Sequence, residues 1–168
     1  NSFNDIFVTI AAVLLLVAMA GIGQAFTPNI DGPPPFSGVL MALAAWGMAE
    51  FFTRQRRMAL PSIVLLIAFV GGVFEALLGF VVMAFGESDT NERLAVTLVA
   101  MAALATAGAA WMHWRRFMVP ITIAAGTAAI TGTVIALAVA AIGPDNIEPE
   151  QVLLPLVFVA GLAVFAFA

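Results

Sequence analysis

The chain contains no cysteine, no tyrosine and no lysine, and its only histidine is His113. Without cysteine there is no disulfide framework, no thiolate metal site and no thiol chemistry, and the redox compartment is left open. A single histidine excludes paired axial ligation of haem or chlorophyll. With no carboxylate at ligand spacing, His113 is expected to be an interfacial side chain and not a metal ligand. A phosphate-cradling glycine loop, a Ser/His/Asp set and a basic surface are all missing. No enzyme class is therefore indicated, no cofactor is implied, and nucleic acid is not an expected partner. Charge is also scarce. Only 10% of residues are charged, against roughly 25% in a soluble domain, while 63% are hydrophobic. No arrangement in water covers that much apolar surface, so lipid is the solvent and the first expected partner.

At about 20 apolar residues per crossing, 168 residues allow roughly six helices joined by short loops. The sequence predicts an all-α membrane protein, a six-helix transmembrane bundle built of helical hairpins, forming a single domain over residues 1–168. The expected helices are 6–26, 36–52, 59–85, 94–112, 117–142 and 151–168. Residues 6–26 read as a retained first helix and not a signal peptide, because no basic region precedes them and no small-x-small site follows. Prolines 28, 33, 34 and 35 make the first loop stiff. The 59–85 helix is long enough to exceed a ~30 Å hydrocarbon core, so it is expected to tilt. Ala100, Ala102, Ala103, Ala105, Ala107, Gly108, Ala109 and Ala110 give the fourth helix small residues on nearly every face, which places it inside the bundle.

One corner occurs twice: Arg56-Arg57-Met58-Ala59-Leu60-Pro61 and Arg115-Arg116-Phe117-Met118-Val119-Pro120. Convergence of two similar hairpins on one orientation rule explains this more simply than internal duplication. Arg54, Arg56, Arg57, Arg115 and Arg116 lie in the loops after helices two and four. Asp31, Glu87, Asp89, Glu92, Asp145, Glu148 and Glu150 lie in the others, with Arg93 alone among them. The positive-inside tendency then makes the arginine corners cytoplasmic, puts both termini on that side, and suits a bacterial inner (plasma) membrane. Trp111, Trp114, Phe51 and Phe52 form an expected aromatic belt beside the corners.

Glu75 is the ionisable side chain deepest in a helix. A charge there costs at least ~2.5 kcal/mol, so it is expected to face protein or a wet cavity, or to be neutral. Gly71 and Gly79, at i−4 and i+4, suggest that this face meets a neighbouring helix. A neutral, hydrogen-bonded carboxyl is the simpler reading; the sharper one is a proton or cation site shared with Thr127 and Thr131 of the fifth helix. Those threonines, with Thr122 and Thr133, are otherwise expected to bond their own i−4 carbonyls. Glu50 is expected to pair with Arg54 at i+4. The function most consistent with these residues is a structural or accessory subunit that packs against other membrane chains or its own copies. The alternative is a small transporter or channel half using Glu75.

Overall fold

The computed structural model describes residues 2–85, 92–119, 121–143 and 154–167. Within these the chain is all-α, with six helices: α1 Ser2–Ala25, α2 Pro35–Ala49, α3 Ala59–Phe85, α4 Glu92–Phe117, α5 Ile121–Ile142 and α6 Leu154–Phe167. A π-helical turn, Glu50–Gln55, continues α2. Four segments are long and apolar enough to cross a membrane: Phe3–Ala25, Pro35–Gln55, Ala59–Phe85 and Glu92–Phe117. The chain is a multi-pass membrane protein whose spans pack as hairpins.

Proline and glycine punctuation sets several of the ends. Pro35 begins α2, where its missing N–H has no helical partner to lose. Pro61 lies in the first turn of α3, and the Ser62 hydroxyl donates back to the Met58 carbonyl just ahead of that helix. At the end of α5, Gly143 has φ 94° and donates its N–H to Val139 O at 3.0 Å, closing the helix with a left-handed residue.

Packing is backbone against backbone. A Cβ added at Gly72 would lie 2.7 Å from Gly38 O and 3.0 Å from Ala42 N, and one at Gly38 would meet Gly72 O and Ala76 N. Gly79 lies equally close to Pro33 and Pro35, and Gly23 to Phe36 and Ser37. Between hydrocarbon tails and apolar side chains there is little hydrophobic driving force, so close van der Waals approach has to hold the helices together. Accordingly α2 packs most extensively on α3, α1 lies across both, and α4 packs on α5. The core joins Ala12 and Leu16 of α1, Ala42, Ala45 and Ala49 of α2, and Leu65 and Phe69 of α3. At the far end Phe36 bridges Phe26 and Phe80, with ring centroids 6.0 and 5.9 Å away.

Three sequence expectations need correction. The fourth helix does not stop at 112 but runs to Phe117, so Trp111 to Arg116 are helical and Phe117 does not open α5. Tryptophan, methionine, histidine and arginine all continue a helix; the break comes at Met118, with φ 55°, two residues ahead of a proline. The fourth helix is also not enclosed on every face. Ala100, Ala103, Ala107 and Ala110 are buried, but Met101, Leu104, Ala105, Gly108 and Met112 are exposed. Thirdly, the two corners differ in build. Arg56 and Arg57 follow the helical segment, with Arg57 itself left-handed at φ 52°, whereas Arg115 and Arg116 sit within the last turn of α4. Pro120 and the acidic residues Glu87, Asp89, Asp145, Glu148 and Glu150 lie outside the described residues.

Candidate site at the arginine corners

The π-helical turn gathers Glu50, Arg54, Arg56 and Arg57 near Arg115 and Arg116 at the end of α4. Inserting one residue shifts the ladder, so Arg56 N–H bonds Phe51 O, five residues back, at 3.0 Å, and past the turn Met58 N–H closes onto Phe52 O at 3.0 Å. Such turns interrupt regular helix and often mark functional positions. Here the turn presents Glu50 to two arginines. Arg54 Nη1 donates to Glu50 Oε2 at 3.3 Å, the expected i+4 pair. Arg116, from the end of α4, adds a fork across the bundle, Nε to Oε1 at 2.7 Å and Nη2 to Oε2 at 3.0 Å. This bidentate geometry is the stronger form of the pair, and it ties the ends of α2 and α4 together. Sequence spacing cannot find it, because the partners are far apart in the chain.

The other arginines use aromatic faces. Arg56 lies 5.3 Å from the Phe51 ring centre, and Arg115 lies 5.0 Å from that of Trp111. Phe51 and Phe52 are themselves edge to face at 5.1 Å. Arg57 is exposed, and among the described residues its guanidinium has no ion pair, hydrogen bond or aromatic partner.

Between this turn, the start of α3 and the end of α4 lies a cleft of about 640 Å³. Its polar wall carries Thr53, Arg54, Arg57 and Ser62, and its apolar wall carries Ile63, Phe117, Met118 and Val119. Thr53 is 8% exposed, and among the described residues its Oγ1 has no hydrogen-bond partner. Thr53 continues the buried stripe of Ala42, Ala45 and Ala49 at helical spacing, so the α2 pattern carries it inward.

No family model, curated protein or solved structure matches the chain.

His113 is placed otherwise than expected. It is not interfacial but fully buried, at 0% exposure. Its ring centre is 5.8 Å from Trp46, 5.3 Å from Phe69 and 4.5 Å from Phe117. Trp46 in turn lies 5.1 Å from both Phe69 and Phe117, so four rings from α2, α3 and α4 close on one another. Among the described residues neither imidazole nitrogen has a hydrogen-bond partner. The signal was in the sequence: His113 continues the buried stripe of Ala103, Thr106 and Ala110.

Glu75 is half-buried at the edge of the buried stripe of α3, beside Gly72, Ala76 and Gly79. The two glycines used to assign its face do not share an environment, since Gly79 is tightly packed while a Cβ at Gly71 would meet nothing within 4 Å. Thr127 and Thr131 are half-buried on α5. A groove of about 430 Å³ where α3, α4 and α5 meet is lined by Gly71, Phe74, Thr106, Ala129 and Gly132, and none of Glu75, Thr127 and Thr131 lines it. Thr106 and Thr133 bond their own i−4 carbonyls, Ala102 O at 2.8 Å and Ala129 O at 2.9 Å, as expected of helical threonines.

Proposed function

We propose that the protein is an accessory membrane subunit that packs its open helix faces against other membrane chains or a second copy of itself. The observation that carries this reading is a contrast between two sets of glycines. Gly23, Gly38, Gly72 and Gly79 are pressed against neighbouring backbone, whereas Gly21, Gly47, Gly108 and Gly161 have, among the described residues, no neighbour within 4 Å of a Cβ position. Glycine inside a helix is justified by close approach of another backbone, and around Gly108 that approach is available to a partner on the face formed by Met101, Leu104, Ala105 and Met112. Purification in mild detergent tests this. The wild type should run larger than one chain, and Gly108→Ile should shift it toward the single-chain size while the thermal midpoint stays near wild type. A wild type that runs as one chain with no co-purifying partner would remove the reading.

The same proposal includes orientation and number of crossings. In this reading α5 and α6 complete six spans, and the arginine corners face the cytoplasm together with both termini. Asn29 and Gln55 are exposed at opposite ends of the segment containing α2. With no native cysteine to confuse the readout, Asn29→Cys should react with an impermeant thiol reagent in intact cells, and Gln55→Cys should react only after lysis. The reverse pattern would invert the orientation.

A further inference from the structure

We propose that the cleft at the arginine corners binds the phosphate group of an anionic phospholipid, with an acyl chain along its apolar wall. Three features of the cleft point to that chemistry. First, among the described residues no acidic side chain lines it, while Arg54 and Arg57 do. Arg54 shares Glu50 with Arg116, and Arg57 has no partner of any kind among the described residues. The wall thus carries positive charge that the chain itself does not neutralise. Basic pockets of this kind between membrane helices suit lipid head groups.

Secondly, Thr53 offers a hydroxyl donor that is buried and unpartnered. Leaving such a donor unmet is unfavourable, and an anionic oxygen entering the cleft would satisfy it. Ala59, the first residue of α3, also lines the cleft. In that opening turn Pro61 has no N–H and Ser62 N–H is bonded to Met58 O, which leaves the N–H groups of Ala59 and Leu60 without an intrahelical acceptor at the positive end of the helix dipole. Thirdly, Ile63, Phe117, Met118 and Val119 give the cleft an apolar wall as well. A free phosphate has no use for such a wall, whereas a lipid does. A volume of about 640 Å³ is within the range of small-molecule sites, roughly 300 to 1,000 Å³. The inference is independent of the packing faces around Gly108, so either reading can fail without the other.

The test uses the full chain, delipidated in a neutral detergent and titrated with dioleoylphosphatidylglycerol or dioleoylphosphatidylcholine, with retained lipid counted by native mass spectrometry. Phosphatidylglycerol should be retained in preference to phosphatidylcholine. Arg57→Gln should weaken phosphatidylglycerol retention about fivefold, and Thr53→Val about tenfold, as for a hydrogen bond to a charged group. Thr53→Ser should restore it. Arg115→Gln removes a cation from the same end of the bundle but not from the cleft, and it should leave retention unchanged. The lipid-free thermal midpoint of Thr53→Val should equal or exceed that of wild type, because the substitution keeps the shape and removes an unpaired buried hydroxyl. Equal retention of the two lipids would overturn the proposal, as would equal weakening by Arg57→Gln and Arg115→Gln. Displacement of phosphatidylglycerol by millimolar inorganic phosphate would assign the cleft to a free anion and overturn the lipid source.

Discussion

Gly72→Val should prevent α2 and α3 from closing, while Gly71→Val, one residue earlier, should fold like the wild type. The two positions share residue type, helix and depth, so the contrast isolates packing. At Gly72 even the first added carbon would sit 2.7 Å from Gly38 O and 3.0 Å from Ala42 N, and both are backbone atoms that cannot rotate away. Overpacking a well-filled interior costs about 1 to 3 kcal/mol when side chains can yield. Here the helices themselves must separate, and with them the contact that Gly38 makes on Ala76. The loss should therefore reach or pass the top of that range. At Gly71 there is nothing within 4 Å, so the change should stay within about 1 kcal/mol, the scale of a helix-interior glycine substitution. Thermal unfolding in mild detergent reads both. Equal midpoints for the two variants would mean that the α2–α3 crossing is not the close contact described here.

That contrast also marks what could be read from the sequence and what could not. The bounds of α3, 59–85, follow directly from Pro61 at one end and the polar run from Gly86 at the other, because a long apolar segment between strong breakers has few alternatives. Glu50 with Arg54 is a local pair, and local spacing finds it. The wider clamp is not local: Arg116 reaches Glu50 only because α4 continues to Phe117 and lies against the π-helical turn. A register shift of that kind leaves no mark in composition. Glycine content is equally ambiguous, since Gly71 and Gly72 look alike as letters and differ wholly in surroundings. Glu75 shows the same limit, because its depth in the helix is legible while its neighbours depend on which side of α3 the α2 crossing falls.

His113 gives the second large effect, and its two substitutions should move stability in opposite directions. The side chain is fully buried, touches rings from three helices, and among the described residues leaves both nitrogens without a hydrogen bond. One ring nitrogen of a neutral imidazole carries a proton and the other a lone pair. An unmet buried donor or acceptor costs about 1 to 3 kcal/mol. The nearly perpendicular Trp46 ring, at 86°, offers an N–H···π contact, which recovers only about half to one kcal/mol of that. His113→Phe keeps a ring of similar size between Trp46, Phe69 and Phe117 and removes both unmet groups, so it should raise the thermal midpoint. His113→Ala empties the space at the centre of the four-ring cluster, and cavities left by large aromatic side chains cost about 3 to 5 kcal/mol. The alanine variant should accordingly lose much of its folded population in detergent. If phenylalanine destabilises as much as alanine does, the imidazole nitrogens have a partner in the working protein, and the cluster is not the apolar joint that its geometry describes.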